Sequence, residues 1–249
     1  MDDETIATVL RSGEVEVLGR MPWSSNATYL CEVRCGEDVV RAIYKPRRGE
    51  RPLWDFPSGL DHREVAAYEL SEALGWGLVP LTILRDGPMG RGSLQRFVEA
   101  DFEQHYFTLY EDEANHDQLR AMCAFDLVGN NTDRKSGHCL LGLDGRIQGI
   151  DHGLMFHHEF KLRTVIWEFG GEPVPAPLLE AADALARSEL PDPLAALLDP
   201  FERDAVRVRA RALVEAGCFP IDETGRRYPW PLVLRAAQVE SSSLPTARR

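Results

Sequence analysis

The period of the hydrophobic pattern changes once along this chain, near residue 100. Before that point apolar and polar residues alternate, as they do in half-buried strands. "GEVEVLGRM", "YLCEVRC" and "VVRAIYK" follow one another, with Tyr29, Cys31, Val33 and Cys35 on one side of the second and Pro46 closing the third. "LVPLTILRDG" and "GSLQRFVEA" supply two more strands around a glycine-rich turn. One helix interrupts them, "LDHREVAAYELSEALGW", where Ala66, Leu70, Ala73 and Leu74 share a face and Asp61 with Glu64 spells a capping box. From about residue 104 the spacing becomes helical, most clearly in "NHDQLRAMCAFDLVGN", "APLLEAADALARSEL" and "DPFERDAVRVRARALVEAG". A strand-turn-strand, "CLLGLDGRIQGID", sits among these helices.

A chain of 249 residues divided in this way has room for two lobes around a cleft. The expectation is an α+β, bilobal fold over residues 1–240, with a β-rich part over about 1–100, a mainly α part over about 101–240 and a flexible tail at 241–249. The formal net charge of −12 argues against nucleic acid and anionic membrane as partners, since both require a basic footprint. Five cysteines without CxxC spacing, an acidic N-terminus without a signal-peptide core, and no long apolar run point to a reducing, cytoplasmic setting without stable membrane association. Of the 28 basic residues only Lys45, Lys135 and Lys161 are lysines, so each is a better site candidate than usual.

Four polar positions can meet between the lobes. Lys45 ends a strand, Glu64 lies in the first helical turn, Asp133 falls in the loop "NNTDRKSGH", and Asp151 ends the strand "RIQGID". Phosphoryl transfer from ATP needs such a set: a cation on the phosphates, an acid to orient it, an acid for the acceptor hydroxyl and an acid for the divalent ion. Asp133 and Asp151 are 18 residues apart, and His138 lies five after Asp133. Both spacings suit a kinase catalytic loop followed by a hairpin and a metal-binding aspartate.

The ordered motifs "RAIYKPRR", "REVAAYEL", "GLVPLT", "GSLQRFVEA", "DLVGNNTDR" and "GIDHGLMF" resemble those of the phosphoinositide 3/4-kinase-like superfamily, most nearly its type II phosphatidylinositol 4-kinases. The chain also looks like an actinobacterial family known by that distant similarity. The resemblance spans about residues 15–170. It implies a kinase-like fold and an ATP-dependent phosphotransferase using Mg²⁺ or Mn²⁺. It implies Lys45 as the phosphate lysine, Glu64 as its helix partner, Asp133 as the catalytic-loop aspartate and Asp151 as the metal aspartate. It places the adenine-binding hinge at "QRFVEA", with Phe97, Val98 and Glu99 in the ATP site.

Several positions keep two readings. Glu64 is explained by the capping box or by the ion pair. The turn "WSSNAT" lacks glycine, so Ser24, Ser25, Asn26 and Thr28 either donate to phosphate oxygens or form a plain polar hairpin. His138 stands where the family has an asparagine. It is a metal ligand beside Asp151, a loop hydrogen-bonding group, or the mark of a nucleotide-binding pseudokinase. His138, His152, His157 and His158 together also allow a metal hydrolase. The acceptor is open: a protein Ser/Thr or a soluble small molecule is favoured over a membrane lipid. "KLRTVIWEF" sets Lys161 and Arg163 for an anionic acceptor or for ion pairs, with Trp167 in the core.

Overall fold

The structure, a computed structural model, describes residues 1–21 and 26–231. Ser24, Ser25 and the tail 241–249 lie outside these residues. A helix α1 (Asp3–Ser12) precedes a five-stranded antiparallel sheet of β1 (Glu14–Arg20), β2 (Tyr29–Cys35), β3 (Asp38–Pro46), β4 (Thr82–Gly87) and β5 (Gly90–Arg96), in the order β1-β2-β3-β5-β4. Helix α2 (Leu60–Ala73) is inserted between β3 and β4. The second part holds α3 (Tyr106–Tyr110), α4 (His116–Gly129), the hairpin β6 (Cys139–Leu141) and β7 (Ile147–Gly149), and then α5 (Ala176–Arg187), α6 (Asp192–Ala195) and α7 (Pro200–Ala216).

The alternation of the strands decides where Lys45 points. Cys31, Val33, Val40, Ala42, Tyr44 and Leu94 bury one face of the sheet against Val9 and Leu10 of α1. Successive strand residues face opposite sides, so Lys45, one residue after Tyr44, faces the cleft. Cys31 packs in that core, and burial pushes its thiol up to about 12. The second core is built from α4, α5 and α7, and it takes in Ala66, Ala67 and Leu70 of α2. The inserted helix therefore packs into the core of the second part of the chain while lying against β4 and β5 of the sheet.

Three local expectations are corrected. Asp61 and Glu64 form no capping box: α2 starts after Gly59 (φ 97°), and the Glu50 carboxylate accepts from the Gly59 and Asp61 N–H groups at 3.0 Å each. Asp61 is instead clamped by Arg47, Nε at 3.0 Å and Nη2 at 2.9 Å. "LVPL" is not strand, because the Ser71 hydroxyl takes the Leu78 and Val79 N–H groups at 2.7 and 3.3 Å and β4 begins at Thr82. Trp167 is only half-buried, against Tyr228, while Phe169 fills the core. Helix α1 was not expected from the sequence; Asp2 caps it by accepting from Thr5 N–H at 2.8 Å.

Gly92 pairs with Pro46 across the ladder beside Lys45. A Cβ there would lie 2.3 Å from the Lys45 carbonyl and 2.7 Å from Pro46 Cα, both backbone atoms. Gly92→Ala is therefore expected to destabilise the protein by about 1–3 kcal/mol. Gly19→Ala, whose Cβ meets nothing within 4 Å, should do much less. Thermal melts of the two variants beside the parent check this.

Candidate active site

The loop after α4 is built around a buried ion pair. Arg134 and Asp126 are both fully buried, and Arg134 grips the carboxylate with Nε at 3.1 Å to each oxygen and Nη2 at 2.9 Å to Oδ1. Asp126 also accepts from Asn131 Nδ2 and the Thr164 hydroxyl at 3.0 Å each. Arg134 donates further to the carbonyls of His138 (3.3 Å) and Ile150 (3.2 Å) and lies 2.9 Å from His152 Nε2. With Arg134 turned inward, its neighbours Asp133 and Lys135 turn towards the cleft. The Asn131 side-chain oxygen accepts from Asp133 N–H at 3.0 Å, and Asn130, at φ 55°, ties the loop to residues 157–161 through its side-chain amide.

Lys45 joins the two lobes. Its Nζ lies 2.5 Å from Glu64 Oε1 and 2.7 Å from Asp151 Oδ1. Glu64 is buried on α2 and also accepts the N–H groups of His152 (3.0 Å) and Gly153 (3.1 Å). The ion pair thus wins over the capping reading of Glu64. Burial raises the Glu64 carboxyl and Lys45 pulls it back, whereas Asp151 is held well below the usual carboxylate range, chiefly by Lys45. Burial lowers the Lys45 ammonium, but Asp151 and Glu64 outweigh it, so the group stays firmly charged. Asp151 sits at φ 61°, a conformation rarely adopted outside glycine and typical of functional sites.

A cavity of about 260 Å³ is lined by Lys45, Glu64, Asp133 and Asp151, together with Asn26 and Thr28 from the segment just before β2. Arg51 and Leu53 close it from the β3–α2 loop, and Asp61 from the first turn of α2. Asp133 pairs with Lys135, and burial raises its carboxyl while Lys135 opposes the shift. Asn26 holds the β3–α2 loop, its side-chain oxygen accepting from Arg51 N–H at 3.1 Å.

The hinge residues are not brought into this cavity. Phe97 donates its N–H to the Arg41 carbonyl at 2.9 Å and lies under the Arg41 guanidinium; the Glu99 carbonyl accepts from Leu143 N–H at 3.0 Å, and its carboxylate pairs with Arg41. Phe97 and Glu99 line a separate surface hollow with Met1, Ile6 and Arg41. Among the described residues only Val98 of the three has no backbone partner.

His138 is buried with its ring nitrogens distinguished. Nδ1 accepts from Lys135 N–H at 3.3 Å, so Nε2 carries the proton, and that nitrogen lies 3.5 Å from Asp151 Oδ2. In this tautomer His138 presents a donor to Asp151, not a lone pair to a metal. The histidine cluster does not form: His152 is buried on Arg134 and Phe125, and His157 stacks on His158. No group of three or more metal-ligating side chains converges among the described residues.

The sequence missed Lys135 at Asp133 and the Arg134–Asp126 pair. Lys135 carried a signal, as one of only three lysines. The buried pair carried none, since charge alone suggests a solvated loop.

Protein Rv2133c of Mycobacterium tuberculosis (strain ATCC 25618 / H37Rv) is 41% identical over 267 aligned positions, covering 92% of this chain and 95% of that protein. The chain belongs to the Rv2133c family. No family model matches it. Among solved structures, that of hydra Fam20 with sugar superimposes with a TM-score of 0.56 at 13% identity, covering 86% of this chain and 89% of that one. The Helicobacter pylori proinflammatory kinase CtkA gives a TM-score of 0.49 at 9% identity, over 84% and 94%. This member of the Rv2133c family has the bilobal, kinase-like α+β fold expected from its sequence.

Two outcomes are expected. Arg134→Met leaves Asp126 charged and unpaired in the interior and should cost about 3–5 kcal/mol, read from the urea midpoint. Burial, reinforced by Arg134 and opposed by Asp151, lowers the His138 imidazole from 6.5 to about 3. In metal-free protein the unfolded chain then binds a proton that the native state refuses between these values. The contribution of His138 is complete above pH 6.5 and is lost as pH falls towards 3. His138→Asn should flatten the acid slope of stability by up to about 1.4 kcal/mol per pH unit, seen in melts across that window.

Proposed function

We propose that the protein is an ATP-dependent phosphotransferase acting on a hydroxyl acceptor. The observation that carries this is Lys45, held between Glu64 of one lobe and Asp151 of the other, in a cavity that also contains Asp133. Lys45 binds the α/β phosphates and Glu64 orients it. Asp133 accepts a hydrogen bond from the acceptor hydroxyl, and Lys135 beside it meets the γ-phosphate. The acceptor oxygen forms a bond to the γ-phosphorus as the bond to the β-phosphate oxygen breaks. ADP leaves, and the hydroxyl proton passes to Asp133. Asn26 and Thr28 border the phosphates, and the Val98 backbone groups, unpaired among the described residues, suit the adjacent donor and acceptor of adenine.

The donor set fits Mg²⁺ or Mn²⁺. Asp151 offers hard carboxylate oxygens towards the cavity from a strained backbone. A divalent ion held there would neutralise charge on the β and γ phosphates. His138 is assigned the role of fixing Asp151 Oδ2, since direct ligation would require the other tautomer and the loss of its bond from Lys135 N–H. The acidic net charge supports a soluble small molecule or a protein Ser/Thr as acceptor over a membrane lipid.

Purified protein given γ-labelled ATP and Mg²⁺ or Mn²⁺ should transfer label. Asp133→Asn and Asp151→Asn should each lower transfer by at least about 100-fold. Equal turnover by all three proteins would remove the site from consideration. An ATP-induced thermal shift without any labelled product would favour a nucleotide-binding regulatory protein.

A further inference from the structure

The charges in the cavity divide into two groups. The acids are answered within the protein: Glu64 and Asp151 by Lys45, Asp133 by Lys135, Asp61 by Arg47, and Glu50 by two backbone N–H groups. Two arginines beside them are not. Arg51 lines the cavity, and among the described residues its guanidinium has no hydrogen-bond or ion-pair partner. Arg163 is exposed and likewise has no side-chain partner among those residues.

The backbone shows where Arg163 points. Arg163 N–H donates to the Asn131 carbonyl at 2.9 Å, and Arg134 N–H donates to the Arg163 carbonyl at 3.1 Å. Arg134 and Thr164 form a parallel bridge, and both side chains turn inward to Asp126. Asp133 and Arg163, each one residue earlier, therefore turn outward together. The Asp133 carboxyl feels the Arg163 charge, which lowers it slightly against burial.

We propose that the acceptor carries an anionic group of the phosphate class next to its reacting hydroxyl, bound by Arg51 from one lobe and Arg163 from the other. Guanidinium groups suit this task, because their planar forks match phosphate oxygens. The inference rests on the phosphotransferase reading, which puts the acceptor at Asp133. Phosphate on a soluble metabolite and phosphate in a lipid headgroup present the same chemistry to these two residues.

The test uses full-length protein saturated with a non-hydrolysable ATP analogue and Mg²⁺, so that the γ-phosphate position is filled. Calorimetric titration with inorganic phosphate, and with glycerol 3-phosphate beside glycerol, should show saturable binding of the two anions and none of glycerol. Arg163→Ala and Arg51→Ala should each weaken anion binding about tenfold, and Arg163→Lys should restore part of it. Sedimentation with phosphatidylcholine vesicles, with and without phosphatidylglycerol, separates the two sources. Arginine-dependent binding to the anionic vesicles alone assigns the headgroup, and to the soluble anions alone the metabolite. If the analogue binds but neither anions nor vesicles do, or if binding survives both alanine variants, this proposal falls and the phosphotransferase reading stands. If the analogue itself does not bind, both fall.

Discussion

The site depends on one buried ion pair, Asp126 with Arg134. Taking two charges out of water costs several kcal/mol per ion unless every remaining hydrogen-bonding position is filled. Here they are filled. Asp126 receives Arg134, Asn131 and Thr164, while Arg134 reaches two carbonyls and a histidine ring besides. The partners come from α4, from the loop after it, from the end of β7 and from the segment leading towards α5. One ion pair therefore fixes four pieces of chain against one another. The inward turn of Arg134 is also what forces Asp133 and Lys135 outward, so packing and chemistry share a cause.

Much of the architecture was legible because it follows from periodicity. The alternation in β2 and β3 correctly put Cys31 and Val33 on the covered face and left Lys45 free to reach the cleft. The helical spacing located α2, α4, α5 and α7. Helix α1 escaped notice because ten residues with a short apolar stripe look like a polar terminus until a sheet face is there to receive Val9 and Leu10. The capping box misled for a related reason. The pattern Asp-x-x-Glu fits the rule, but Glu50, eleven residues before Asp61, supplies the cap, and no local pattern encodes a partner that distant.

The candidate site was legible as a set of residue types and spacings, but not as a set of contacts. Lys45, Glu64 and Asp151 meet as the motif order implied. The hinge does not follow so simply: Phe97 donates its N–H back to β3, and Arg41 covers its ring. His138 was ambiguous in sequence because an imidazole either donates or ligates, and only its neighbours decide which. Lys135 N–H settles the tautomer by occupying Nδ1.

The bonds of Glu64 to the His152 and Gly153 N–H groups carry a consequence for how the cleft opens. Swinging α2 outward would strand two buried donors, strip Lys45 of one acid and pull Ala66 and Leu70 from the core shared with the second lobe. The β3–α2 loop is held differently, by side chains along its length. It rests on the Asn26 contact to Arg51, on Glu50, on the Arg47 clamp of Asp61, on Phe56 packed against Arg63 and His157, and on the Lys161 bond to the Asp55 carbonyl, while Trp54 is almost wholly displayed to solvent. The frame of the chamber is thus bonded across both lobes, while the tip of its door, at Trp54, stands clear of the core.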